Sequence, residues 1–354
     1  MRILAIDIGA KTQDILLYDD SVMIENCVKL VLPSPMVIFK KDVVKVTGDL
    51  FVKGDTVAGG MLSRALKEHA KKHGVFMTKL AAYSIKEDID VVKSHGIKIV
   101  DDEDVINFEK NFGGDVINLK EIDLKLFDGI LANFNEELNI DYVAVAVQDH
   151  GAAPRGVSDR KFRFKLFSEM LKKSRDIEGF AFKNPPEHYF RMNSIMSAIS
   201  RQTGAPAIVM DTSPDSIAGC LEDDLVDPEG PALIINVGNG HSIFMVVSGG
   251  KVDALMEHHT RCLENDLAKL EDLVRRFACG NVTDDEIYND GGNGAIIIKA
   301  PGFENLKQIV VTGPNRNIFK KTNLDVYYAT PAGDMMMTGP MGLVRCVKKL
   351  YGLI

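Results

Sequence analysis

Apolar and polar positions alternate in short blocks along this chain, and two blocks repeat one design. Residues 232–247 form an apolar run, a turn holding Gly238 and Gly240, and a second apolar run of β-formers. Continuous apolar runs on either side of a glycine turn predict a buried hairpin. Residues 3–18 show the same order of run, turn and run. Laid together, Ile6–Gly9 matches Ile235–Gly238, Thr12 falls on His241 and Gln13 on Ser242, 229 positions apart. The repeat predicts a duplicated α/β domain with two turns facing each other across a cleft. Each turn offers successive backbone N–H groups with few side chains in the way, which suits a phosphate.

Between the hairpins, Met36–Phe39 and Val43–Val46 read as strands, followed by Leu50–Val52. Gly59 and Gly60 precede a helix expected over 61–73, with Leu62, Ala65, Leu66 and Ala70 on one stripe. Such an opening either holds an anion or is simply a tight entry turn. Residues 77–140 alternate short apolar runs with charged turns and read as peripheral elaboration of the first domain. The apolar strand from Asp141 to Val147 ends in Gln148, Asp149 and His150. In parallel sheets working residues sit just beyond strand C-termini. Helices are expected over 159–174 and 187–202, and a domain change near Thr203–Pro206. Beyond it, Ala207–Met210 leads into Asp211 and a short helix. After the second hairpin come a third strand from Lys251 to Met256, the stretch Glu257–Thr260 and a long helix to Cys279. The chain closes with a helix over 335–350, where Gly339 and Gly342 permit close backbone packing. The expected division is residues 1–205, residues 206–334, and a segment 335–354 returning to the first domain.

Composition changes this picture little. The chain has 354 residues, 45% of them hydrophobic, and a net charge of −8, which argues against non-specific nucleic-acid binding but not against a nucleotide. No apolar run approaches the roughly 20 residues that span a membrane. The five cysteines are scattered, and with strand-like sequence from Arg2 they suggest reduced thiols in a cytoplasm.

Taken in order, five stretches resemble the superfamily of acetate and sugar kinases, heat-shock chaperone ATPases and actins. Ile6–Gly9 with Thr12 resembles the first phosphate motif, Val147–Asp149 the first connecting motif and Asn236–Ser242 the second phosphate motif. Val310–Gly313 resembles the adenosine motif, and the Gly339/Gly342 helix the second connecting motif. Met210–Gly219 is similar to the acidic strand end and helix of the chaperones. Within that pattern, Glu257–Thr260 and Asp290–Gly292 suggest an archaeal family labelled as related to pyruvate formate-lyase activating enzyme. The chemistry of that label needs closely spaced cysteines for an iron–sulfur cluster, and no two cysteines here lie within ten residues.

The resemblance implies an α/β fold of two ribonuclease H-like domains around a nucleotide cleft, with ATP and Mg²⁺ as cofactors. It implies that Asp7 holds the metal through water, and that backbone N–H groups of Gly9, Ala10, Lys11 and Thr12 grip phosphates. Gly238, Asn239, Gly240, His241 and Ser242 would grip them from the other side. Asp149, with Gln148, would orient or deprotonate the nucleophile, Asp211 would place the metal's waters, and Gly313 would admit adenosine. Three positions depart from the family pattern: Asn236 stands where aspartate is common, Asp14 where lysine is common, and Pro314 where a second glycine is common. His150 reads equally as a proton relay or a polar loop residue. The expected function is ATP hydrolysis or phosphoryl transfer to an unidentified small-molecule or protein acceptor. The alternatives are a nucleotide-switched binding or activator protein and an inactive scaffold. Oligomeric state is open.

Overall fold

The computed structural model describes residues 1–353. Three antiparallel strands open the chain: β1 (Arg2–Ile8), β2 (Thr12–Asp19) and β3 (Val28–Pro33). Next comes an inserted unit of α1 (Pro35–Lys45), β4 (Leu50–Gly54), α2 (Gly60–Ala70), β5 (Val75–Thr78), α3 (Lys79–Ala82), α4 (Ile89–Ser94), β6 (Ile97–Val100), α5 (Val105–Asn111) and β7 (Asp115–Leu119). The chain returns through α6 (Leu124–Ala132) to β8 (Tyr142–Val147), which lies parallel to β1. Then follow α7 (Asp159–Lys173), β9 (Ala181–Phe182), α8 (Phe190–Gln202) and β10 (Ala207–Met210). The first sheet has the order β3-β2-β1-β8-β10-β9.

Helix α9 (Thr212–Cys220) leads to the second hairpin, β11 (Ala232–Val237) and β12 (His241–Ser248), and on to β13 (Lys251–His259). After α10 (Thr260–Glu264), α11 (Leu267–Ala278) and α12 (Asp284–Asn289) come β14 (Gly294–Ile297), β15 (Gln308–Thr312), β16 (Tyr327–Tyr328) and α13 (Thr338–Leu350). The second sheet runs β14-β13-β12-β11-β15-β16. Without the edge strands β9 and β14, the two orders coincide. Each is three antiparallel strands followed by two parallel to the first, the ribonuclease H-like arrangement. The fold is thus α/β with two such sheets.

Between the sheets lies a shared core in which α9 packs on α13. Apolar residues from both sheets (Ile3, Ala146, Ile234, Met245) meet there with Ile217, Leu343 and Val347 of the helices. Small residues set that contact. A Cβ on Gly219 would come within 1.7 Å of the Thr338 carbonyl oxygen, and one on Gly342 within 1.9 Å of the Asp215 oxygen. Outer faces are covered separately, the first sheet by α6 and α8 and the second by α11.

Four expectations need correction. Residues 36–45 are helical rather than two strands: Pro35 occupies the first turn, where its missing N–H costs nothing, and Met36, Phe39, Val43 and, just past the helix end, Val46 pack into the insert's own core. Residues 77–119 are not peripheral segments. With β4 they build a wholly parallel sheet of order β6-β5-β4-β7. The strand Ala207–Met210, expected to lie beyond the domain change, pairs with β8 inside the first sheet. The helix expected to run to Cys279 is also broken, between Glu264 and Leu267.

Candidate functional site

The two hairpin turns have the same geometry. In the first, the Gly9 N–H donates to the Thr12 carbonyl at 2.9 Å; in the second, the Gly238 N–H donates to the His241 carbonyl at 3.0 Å. Among the described residues the amides of Ala10, Lys11, Asn239 and Gly240 donate to no protein acceptor. Carbonyls of the second turn are held from behind: Thr260 Oγ1 and Asn315 Nδ2 both donate to Gly238 O, and the Thr260 N–H donates to Gly240 O. Gly9, Ala10, Thr12, Gly238, Asn239, Gly240 and His241 all line one cleft between the sheets. Lys11 and Ser242 do not. The Lys11 side chain is exposed outside the cleft, and the Ser242 hydroxyl is buried behind the turn against Thr260 at 2.9 Å. Gly313 closes the far wall at φ +94°, and a Cβ there would lie 2.3 Å from Asn236 Oδ1, so both backbone and space demand glycine. Pro314, Met335 and Met336 give that end an apolar surface.

The acidic end is asymmetric. Asp7 and Asp14 face each other across the β1–β2 pair, whereas the corresponding second-hairpin pair is Asn236 and Ile243. Both aspartates line the cleft, and each has a buried Oδ1 without a partner. Burial, then the charges of Asp14 and Asp211, raise the Asp7 carboxyl well above its usual range. Burial pushes Asp14 up to about 7. The N-terminal turn of α13 abuts Asp7 so closely that a Cβ on Gly339 would lie 2.4 Å from Asp7 Oδ2. Asp14 was read from sequence only as a departure. Pairing of Ile8 with Gln13 around the turn is the local signal that places it opposite Asp7.

The strand-end carboxylates have other occupations. Asp149 Oδ1 accepts from the Gly151 N–H at 2.9 Å, and Oδ2 from the N–H groups of Arg191 and Met192 at 3.0 and 3.1 Å. It thereby caps the N-terminus of α8, and burial still raises it to about 6. Asp211 is held bidentately by Arg163 at 2.6 and 2.8 Å and does not line the cleft, contrary to the expected role with a metal's waters. Arg163 is 1% exposed and also donates to Glu257 at 2.8 Å. Burial alone would raise Glu257, but the guanidinium brings it down to about 2. This buried triad joins α7 and the end of β10 to β13 of the second sheet, and no pattern in the sequence announced it. Gln148 is freer. It lines the phosphate-facing cleft and a second, adjoining pocket, with Nε2 3.4 Å from His241 Nδ1. His258 is fully buried with Nε2 2.8 Å from Asp290, while His259 is exposed and its ring packs at a tilt against that of His241, centroids 4.5 Å apart.

Solved structures with distant likeness to this chain include the PilM–PilN type IV pilus biogenesis complex (10% identity, 98% of this chain and 99% of that one, TM-score 0.41). Another is a ROK hexokinase from Thermus thermophilus (11% identity, 98% of each chain, TM-score 0.33). A third is MreB5 of Spiroplasma citri bound to ADP (14% identity, 64% of this chain and 74% of that one, TM-score 0.30). No curated protein matches in sequence. Over residues 57–318 the chain matches, and therefore belongs to, the family described as "Putative pyruvate format-lyase activating enzyme (DUF1786)".

Proposed function

We propose that this protein binds a magnesium–nucleotide, with ATP as the first candidate, and hydrolyses it or passes its terminal phosphoryl group to a small acceptor. One observation carries the reading: two turns closed by the same hydrogen bond bring three free amides, those of Ala10, Asn239 and Gly240, to one cleft. In the second turn, where the Gly238 and Gly240 carbonyls are already pinned, the amides need little reorganisation to meet charge that develops on a transferring phosphoryl group.

Magnesium suits the acidic end, because Asp7 and Asp14 offer hard, unpartnered oxygens beside the first turn. Among the described residues no three His, Cys, Asp or Glu side chains converge on one point. A cation there would therefore keep water and phosphate oxygens in its shell. When bound it would supply positive charge to those phosphate oxygens. Gln148, at the junction of the two pockets, is placed to orient a nucleophile. Asp149 supports this by fixing the strand end and α8, since three amides already consume its carboxylate. The apolar wall of Pro314, Met335 and Met336 would take the base, next to Gly313.

An iron–sulfur cluster, as the family's description suggests, does not suit these residues. Cys27, Cys220 and Cys346 are buried separately, and Cys262 and Cys279 stand alone nearer the surface. A nucleotide-switched binding protein is the second reading. It is favoured by the consumed Asp149 carboxylate, which leaves Gln148 without a carboxylate base beside it.

The test is calorimetric titration of ATP, ADP and GTP with and without Mg²⁺. Binding should require the metal, and Asp7→Ala should weaken it by about tenfold or more, the scale of one lost charged contact. Absence of any nucleotide binding at millimolar concentration would overturn the reading. Turnover stimulated only by a protein would favour the switch.

A further inference from the structure

Beside the nucleotide cleft lies the second pocket, walled on one side by the first domain and on the other by the insert. The two pockets share Gly9, Ala10, Gln148 and Thr212. The insert is a wholly parallel sheet whose order reverses between β4 and β7, and ligands of such sheets lie beyond strand C-termini at that reversal. Here the reversal faces the first domain. Part of it is filled by α8: Ser194 Oγ accepts from the Thr56 N–H, Arg191 pairs with Glu121 at 2.5 Å, and Arg201 pairs with Asp55 at 2.5 Å. What stays open is the loop from β4 into α2, whose Thr56, Ala58, Gly59 and Gly60 line the pocket.

Helix α2 is 11 residues long and starts behind Gly59 with no side-chain cap. Its first amides, Gly60 to Leu62, donate to no acceptor outside the helix, and amides at a helix start cannot bond within it. In the same wall stands Arg191, 8% exposed, whose Nε has no acceptor although its other nitrogens bind Gln148 O and Glu121. His150 adds a second orphan, a buried Nε2. Burial lowers His150 to about 4, so it lines the pocket as a neutral ring. Three acidic side chains face these donors: Glu121, paired with Arg191, Glu87, which is salt-bridged to Lys86 at 3.4 Å, and Asp149, consumed by its three amides. Tyr83 stacked on Phe190 at 4.5 Å supplies a flat apolar wall.

We propose that this pocket takes the acceptor of the phosphoryl group, and that the acceptor is a small molecule bearing an oxyanion, a carboxylate or a phosphate, held at the N-terminus of α2 beside Arg191. The inference rests on the phosphotransfer reading for the word acceptor, but the anion site itself can be tested without it. A Cβ on Gly60 meets nothing within 4 Å. Gly60→Asp should therefore fit, should steady the helix start through its dipole, and should repel an incoming anion.

The experiment follows the melting temperature of the full chain, saturated with ADP, as inorganic phosphate or acetate is added to tens of millimolar. Wild type should be stabilised by at least one of the two, and Gly60→Asp should melt higher unliganded yet respond about tenfold more weakly. An acetate response assigns a carboxylate-bearing acceptor and a phosphate response a phosphorylated one. Equal responses in wild type and Gly60→Asp would overturn the proposal, since general salting-out or phosphate in the nucleotide cleft acts alike on both. So would no response of wild type to either anion. ADP binding, measured separately by calorimetry, tests the nucleotide reading; should it fail, the anion comparison is read on the unliganded chain.

Discussion

The cross-strand pair Asp7 and Asp14 sets the chemistry at the residue scale. Like charges placed opposite each other on two strands repel, so the pair needs a proton or a cation. This gives a pH signature with a definite sign. A carboxyl whose folded value is raised binds its proton more tightly folded than unfolded, so stability present at low pH is lost as pH rises through the folded value. For Asp14 the window runs from the ordinary 3.8 to about 7. Metal-free protein should therefore lose stability across that window, by at most about 1.4 kcal/mol per pH unit for this one group. Asp14→Asn should flatten the slope, and millimolar Mg²⁺ should raise stability most at pH 8; denaturant melts at several pH values measure both. Gln148 belongs to the same scale. If it orients the nucleophile, Gln148→Ala should lower turnover about a hundredfold while nucleotide affinity stays near wild type. Parallel loss of affinity would instead place Gln148 in nucleotide binding.

Among the elements, the crossing of α9 and α13 fixes where Asp7 sits. Gly342→Ala would drive a methyl into the Asp215 carbonyl at 1.9 Å, with backbone on both sides and no flexible side chain to yield. The expected loss is about 3 kcal/mol or more. Nucleotide binding should fall with it, because the same helix brings Gly339 against Asp7. Gly129→Ala is the matching control: it lies within α6 with nothing within 4 Å of its Cβ, and should stabilise by about 1 kcal/mol. Thermal melts of the two variants should move in opposite directions.

For the whole molecule, α7 matters more than its place in the chain suggests. Arg163 closes a buried triad with Asp211 and Glu257, while Arg160 and Lys161 reach Tyr288, Gly292, Asp284 and Asp285 around α12. These contacts tie the first domain to the second sheet at one end of the cleft. Arg163→Met would leave two buried carboxylates unpaired, at a cost of about 3–5 kcal/mol. That cost should shrink on acidification, which protonates the stranded carboxylates; denaturant melts at pH 5 and 8 would show it.

Local physics made the hairpins legible. Apolar runs, a glycine turn and matching spacing depend only on residues near one another in sequence, so the duplicated hairpins and the turns at Gly9 and Gly238 could be read directly, whereas Asp7 and Gly313 were singled out by the family resemblance. The insert could not. Its sheet pairs strands contributed by separated segments, and short apolar runs such as Met36–Phe39 satisfy a strand pattern as readily as the helix they form. Nor could the sequence assign the polar strand ends. Asp149 and Asp211 were conspicuous as carboxylates, yet whether each faces the cleft depended on distant partners, the α8 amides and Arg163. Asp14 faces Asp7 through the local hairpin register, but Gly60 gained its importance in the same way as the strand ends, from Arg191 and His150 that tertiary packing placed along the same pocket. A side chain's type is local information, but its free hydrogen-bonding capacity is what remains after the rest of the chain has taken its share.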